Sequence, residues 1–513
     1  MDELAAQVGR LFVVGFEGTT APLYLLEWLA EGRVGGVILF ARNVESPSQL
    51  AALTSGLRVV APRPILIGID QEGGTVARLR GSFTESPSAM ALSNSNDEAQ
   101  AERCYGVLGT EMRALGINWD YAPVVDISYN RENPTVGVRS FGTQGSRVSR
   151  YAAAAVRGLQ KQGVAACAKH FPGLGNTAID THVALPTIDT PLDHLLAHDL
   201  LPYRTLMAEG VASIMTTHTI YAALDEQYPA TLSPHVIQRL IRQELGYDGL
   251  VTSDCMEMKA IADHYEPGAY AVLGALAGLD VILVSHTRAA QEEAYRGLLA
   301  AVEDGRVPLA RIREANRRIE ALLARYAIAE QPNLQAIATP EHQQIVLEAA
   351  RLGLRAEQHK PLKQPIVWGE GVAVVEFASV LETEVLESGG ATGLYSAMQQ
   401  LSLSARYVAL KSSEDDPQAW ETAQRLAREA DLLIVVTRNA HLLPVQQARA
   451  TALAEAARDL IFIHARNPYD AEVLPTPHAT IATYGDAAPQ LRAALERLIQ
   501  AEPTIQPLYY QQA

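Results

Sequence analysis

Cysteine is scarce and cations are outnumbered, and each shortage closes off a class of protein. Cys104, Cys167 and Cys255 are the only three cysteines, far apart and without CxxC spacing. That argues against a disulfide framework and a paired-cysteine zinc site, and it fits a reducing, cytoplasmic setting. Lysine and arginine number 42 against 58 acidic residues, a formal net charge of −16, which opposes binding to nucleic acid or to an anionic membrane surface. No apolar run approaches the ~18 residues of a membrane span. The longest, Ala271 to Leu279 with Val281 to Val284 after it, is broken by Gly278 and Asp280. The opening Met1-Asp2-Glu3-Leu4 is acidic, unlike the basic start of a signal peptide. There is no low-complexity tract, no internal repeat and no GxGxxG or GxxxxGK phosphate loop. On the same grounds Gly35-Gly36 and Gly73-Gly74 are expected to be turn glycines.

What is present is enough apolar material for a large core and a regular alternation of element types. With 513 residues, 48% of them apolar, the chain should divide into two or three domains. Short apolar runs that suit strands fall at Leu11 to Phe16, Gly36 to Phe40, Ile65 to Asp70, Asn118 to Val124, Val164 to His170, Ser213 to Thr217, Leu250 to Asp254 and Val281 to Ser285. Amphipathic stretches such as Ser146 to Gln162 and Ser233 to Leu245 lie between them. Repeated βα units over residues 1–328 predict a (β/α)8 TIM-type barrel. Turn-rich residues 329–345 read as a linker. Over 346–513 a second alternation, with strands at Pro365 to Trp368, Val372 to Phe377, Leu432 to Val436, Leu460 to His464 and Thr480 to Thr483, predicts a smaller doubly wound α/β sandwich domain.

The barrel runs begin apolar and end polar: Arg42 follows Phe40, Asp70 and Glu72 follow Ile69, Asp126 follows Val125, and Lys169-His170, Thr217-His218, Ser253-Asp254 and Ser285-His286 close theirs. The carboxyl ends of barrel strands form the active face, so these residues are expected to meet there. The segment after His170 contains Pro172, Gly173 and Gly175 and must leave as a loop. In an extended backbone its Asp180 and His182, two apart, would face one side. The carboxylate could then hold Nδ1 of the imidazole and leave Nε2 to exchange a proton. A solvated surface pair, or a metal site with His170, fits the same spacing. Asp254 could attack an anomeric carbon, or simply cap the next helix. Asp70 could accept bonds from sugar hydroxyls, with Arg78 and Arg139 as donors.

The strings IDQEGGTVARL (69–79), RSFG (139–142), KHFPGLGNTAIDTHVALP (169–186), PATLS (229–233) and Ser253-Asp254 resemble glycoside hydrolase family 3, in its bacterial β-N-acetylhexosaminidase branch of two-domain type. RNPYD (466–470) and ATYG (482–485) resemble that type's second domain more weakly. The resemblance implies a retaining exo-β-N-acetylglucosaminidase with Asp254 as nucleophile and His182, paired with Asp180, as acid/base. It implies sugar binding by Asp70, Arg78, Arg139, Lys169 and His170, and no metal or cofactor. The implied substrate is a small glycoside or cell-wall muropeptide fragment, as in peptidoglycan recycling, with no nucleic-acid partner and no membrane insertion. Leu174, Thr75 and Cys255 depart from the family's usual residues. A β-N-acetylglucosaminide phosphorylase, a β-glucosidase and an inactive sugar-binding relative are the alternatives.

Overall fold

The computed structural model describes residues 3–178, 180–378, 393–411 and 416–499. Eight parallel strands close into a barrel. They are β1 Phe12–Val14, β2 Gly36–Leu39, β3 Leu66–Ile69, β4 Trp119–Asp120, β5 Ala165–Phe171, β6 Ser213–Thr216, β7 Leu250–Cys255 and β8 Val281–Val284. Each neighbours the next, and β8 pairs with β1 to shut the ring. Strand β4 is shorter than its apolar run because Pro123 has no N–H to give a ladder. The Asn118 side chain takes over at its start, accepting from Ile67 N at 2.8 Å and donating to Ile65 O at 2.9 Å.

The barrel interior is packed solid below the mouth. Trp119 is fully buried and donates from its indole to Ser213 Oγ at 2.8 Å across the lumen. Gly35 and Gly36 are close-approach glycines and not the turn glycines expected: Gly36 lies inside β2, where a Cβ would fall 2.2 Å from Leu66 O. Gly73 and Gly74 do turn, with φ of 87° and 60°.

A second sheet has the order β9 Arg355–Gln358, β14 Ala479–Ala482, β13 Asp459–His464, β12 Leu432–Thr437, β10 Gly369–Ala378 and β11 Ala405–Lys411. All pairs are parallel except β9 with β14. Along β10, Val372 and Val374 face one apolar layer while Ala373, Val375 and Phe377 face another, so helices cover both sides. The first layer receives Gly393–Gln400 and Ala488–Ile499, the second Pro417–Glu429 and Pro444–Ala456. Pro365 to Trp368 is not a strand. Its Ile366 and Trp368 pack against the first layer from irregular backbone. The helix Pro340–Gly353 ties the two bodies, with Val346 and Ala349 in the barrel core and Ala350 in the second. No helix among the described residues is long and apolar enough to cross a membrane.

At the amino end of β8, fully buried Asp280 accepts from Arg242 at 2.6 Å, Arg311 at 2.7 Å and Arg318 at 3.2 Å. Removing one member of such a cluster strands the remaining charges out of water. Asp280→Ala should therefore cost about 3–5 kcal/mol of stability by urea unfolding. A loss under about 1 kcal/mol would mean that the arginines are hydrated instead.

Candidate active site

A pocket opens at the carboxyl ends of the barrel strands, and Asp70, Arg78, Arg139, Lys169, His170, His182 and Asp254 all line it. Asp180 stands directly behind His182. Strand pleat alone does not explain two of these placements. In a regular strand adjacent side chains face opposite ways, yet Lys169 and His170 both reach the pocket, as do Asp254 and Cys255. The register shows why. Between Ala168 and Phe171, β5 carries one residue more than β6 opposite, and between Thr252 and Cys255, β7 carries one more than β8. Each is a bulge that turns a second consecutive side chain inward. The Ser253 hydroxyl accepts from Leu283 N at 2.9 Å at the second bulge, satisfying a ladder donor there.

The deep end of the pocket is a buried charge cluster. Lys169 Nζ sits 2.7 Å from both Asp70 Oδ1 and Glu72 Oε1. Arg139 forks onto Glu72 at 2.8 and 2.7 Å. Arg78 reaches Asp70 Oδ2 at 3.4 Å because Gln71 Oε1 accepts from Arg78 N and Leu79 N, folding the loop back on itself. Burial alone would raise both carboxyls. Lys169 and Arg78 outweigh it at Asp70, and Arg139 and Lys169 outweigh it at Glu72, so both acids are held below their ordinary values. Burial likewise opposes the Lys169 charge, and Asp70 and Glu72 overcome it. Asp120, buried under this cluster with only Gln71 N on Oδ1, is pushed well above the carboxylate range by desolvation.

His170 is set by Asp126, whose Oδ2 lies 2.7 Å from its Nδ1 and whose Oδ1 accepts from Leu174 N at 2.6 Å. Leu174 thus anchors the loop through its backbone. Gly175 is required beside it, since a Cβ there would fall 1.6 Å from Ile127 O. Farther along, Asp180 and His182 do meet, but not through extended backbone. The chain turns, with Val183 N donating to Asp180 O at 3.0 Å, and Asp180 Oδ1 receives both His182 N at 2.9 Å and His182 Nδ1 at 2.7 Å. Burial would raise the Asp180 carboxyl, but the bonds from His182 hold it below the usual range. Nε2 of His182 has no partner among the described residues. The loop docks where Ala260 N donates to Thr181 O at 3.3 Å.

Asp254 does not cap a helix: the following one, Lys259–Ala262, starts from Met258. Its Oδ1 accepts from Cys255 N at 2.7 Å, and among the described residues nothing bonds to Oδ2. Sequence reasoning placed Glu72 and Asp126 at the active face but gave neither a specific partner. It overvalued His218, which is fully buried, lies outside the pocket lining, and uses its nitrogens on Thr231 Oγ1 at 2.9 Å and Cys255 O at 2.8 Å. Burial lowers its pKa, so it braces the end of β7 as a neutral ring.

Glu72 has an ordinary value of 4.5 and a lower one in the fold. The folded state therefore binds fewer protons, and the stabilisation is complete above that value and drains as pH falls below it. Glu72→Gln should lose about 3–5 kcal/mol near neutrality, with the gap to wild type narrowing below about pH 4.5 in urea titrations. A gap independent of pH would refute the ionised, paired state.

The sequence from residue 4 to 322 matches the family described as Glycosyl hydrolase family 3 N terminal domain. A Beta-hexosaminidase of Stenotrophomonas maltophilia (strain K279a) is 38% identical over 290 residues, covering 55% of this chain and 85% of that one. Beta-hexosaminidase A of Pseudoalteromonas piscicida is 36% identical over 287 residues, 52% of this chain and only 48% of the relative, so this chain spans about half of that protein's length. In structure, a glycoside hydrolase family 3 beta-N-acetylglucosaminidase from Paenibacillus sp. str. FPU-7 superposes with a TM-score of 0.91 at 36% identity, covering 97% of each chain. This chain belongs to glycosyl hydrolase family 3.

Proposed function

We propose that the chain removes terminal β-linked N-acetylglucosamine by retaining hydrolysis, with the barrel of residues 1–328 as the catalytic unit. The observation that carries this reading is one pocket holding a carboxylate open on Oδ2, at Asp254, and an imidazole open on Nε2, at His182. Asp254 attacks the anomeric carbon while His182 Nε2 protonates the departing oxygen. Water then attacks the same carbon, its proton passing to His182 Nε2 as the bond to Asp254 breaks. Asp180 keeps Nδ1 as the donor side of the ring and stabilises the imidazolium that forms when the proton returns.

The deep cluster binds the sugar. Asp70 offers acceptor oxygens to hydroxyls, while Arg78, Arg139, Lys169 and His170 offer donors. Because these charges are already paired to one another, they are rigid before substrate arrives. The names of the relatives supply the sugar: two are beta-hexosaminidases and the structural neighbour is a beta-N-acetylglucosaminidase. The proposed natural substrate is a cell-wall muropeptide fragment met in the cytoplasm during recycling. Three cysteines, all free of disulfides, fit that reducing compartment.

Asp254→Asn should abolish turnover of a nitrophenyl N-acetylglucosaminide while sugar binding by calorimetry persists. His182→Ala should slow an alkyl N-acetylglucosaminide by about 10²–10⁴-fold and the nitrophenyl substrate far less, because only the alkyl leaving group needs a proton. Near-native rates in both variants would end this assignment. Faster turnover of a glucoside, or a sugar phosphate formed in phosphate buffer, would redirect it.

A further inference from the structure

Among the described residues the pocket lining ends at His286, so no described residue of the second domain lines it. The chain's path to that pocket nevertheless runs across the second domain. Arg139 closes the short turn Gly137–Arg139. Gly137, at φ 38°, lies so near Asn467 of the second domain that a Cβ would fall 2.5 Å from Asn467 Oδ1. Val138 is buried in a small apolar cluster with Met90, Ala91 and the second domain's Tyr484. The Tyr484 carbonyl accepts a hydrogen bond from Ser88 Oγ. Ser88 in turn underlies Gly74, where a Cβ would meet it at 2.5 Å. One second-domain residue therefore braces both loops that feed the deep cluster, the one running from Asp70 to Ser88 and the one bearing Arg139.

Tyr484, and the residue that supports Asn467, lie at positive φ. Tyr484 has φ 57° and Asn439, whose Oδ1 accepts from Asn467 N at 3.2 Å, has φ 56°. Positive φ in a bulky side chain such as Tyr484 persists only where surroundings enforce it. From inside the barrel the same turn is gripped by Asn133, whose Oδ1 accepts from Thr135 N at 2.9 Å and Val136 N at 2.8 Å. The Arg139 fork on Glu72 needs both its plane and its reach to be right. With Asn133 and Glu72 on the inner side, Asn467 and Tyr484 supply the outer wall.

We propose that Tyr484 and Asn467 are positioning residues for Arg139, so that the second domain sets substrate affinity without contacting substrate. This rests on the reading that Arg139 grips the sugar. The loss expected on removing the wall is one of placement: a shift of about 1 Å in a substrate-positioning group can cost up to about 10²-fold.

The test is a double-mutant cycle on the full-length chain with a nitrophenyl N-acetylglucosaminide, and circular dichroism to confirm folding. Tyr484→Ala should raise KM by roughly tenfold with kcat little changed, whereas Tyr484→Phe, which keeps the ring on Val138 and the carbonyl to Ser88, should match wild type. In an Arg139→Ala background, Tyr484→Ala should add nothing. Asn467→Ala carries the same cycle if Tyr484→Ala does not fold. Equal factors in both backgrounds, or an unchanged KM in folded Tyr484→Ala and Asn467→Ala, would overturn the proposal while leaving the role of Arg139 intact. An unaltered KM in Arg139→Ala alone would instead remove the reading beneath it, and the proposal with it.

Discussion

The contact of Lys169 with two carboxylates at once is the constraint on which the site depends. It joins strand β5 to the loop after β3, and through Glu72 and Arg139 it reaches the loop after β4. Each ion in this chain would be costly to bury alone, and each is tolerable because the next one is within hydrogen-bond distance. The arrangement therefore forms as a unit. It also explains the division between the acids at the mouth: Glu72 is consumed by its cations, whereas Asp70, 16% exposed, still faces the pocket and among the described residues Asp254 keeps an oxygen unclaimed.

The loop bearing Asp180 and His182 is held differently. The Asp180–His182 turn is internally tight, because one carboxylate oxygen closes both a backbone and a ring hydrogen bond. Among the described residues its attachment to the barrel is light at the tip, one long bond from Ala260, and firm at the root, where Asp126 and Ile127 crowd Leu174 and Gly175. A unit that is rigid inside and lightly docked outside can shift as one piece, which suits the proton-transfer role proposed for His182.

Much of this was legible before any coordinates. Lys169, His170, Asp254 and Asp70 announce themselves because an apolar run that stops at a polar group is a barrel strand reaching its active face. Asp180 and His182 stand out because the prolines and glycines before them forbid a helix. What pattern cannot give is the partner of each group. Glu72 and Asp126 look like any other acid after a strand, and only the path of the loops shows that one serves Arg139 and the other His170. His218 misleads for the same reason, since its ring is enclosed by Thr231 and Cys255. In the second domain, Arg355–Gln358 and Ala405–Lys411 escaped notice because edge strands are partly exposed and polar, while Pro365 to Trp368 is apolar for packing and not for pairing.

The two bulges carry a further consequence for how this chain can change. A point substitution at Lys169, His170 or Asp254 alters one functional group and leaves the rest of its strand in phase. Deleting a single residue at either bulge restores the regular pleat, so only one of the two consecutive side chains there can still face the pocket. In β5 that deletion would leave one inward position where Lys169 and His170 now both face the pocket, and would shorten the chain just before the loop that carries Asp180 and His182. The lining of the pocket is thus written as much in the length of β5 and β7 as in their residues: a substitution there changes a side chain, and a deletion removes one from the pocket.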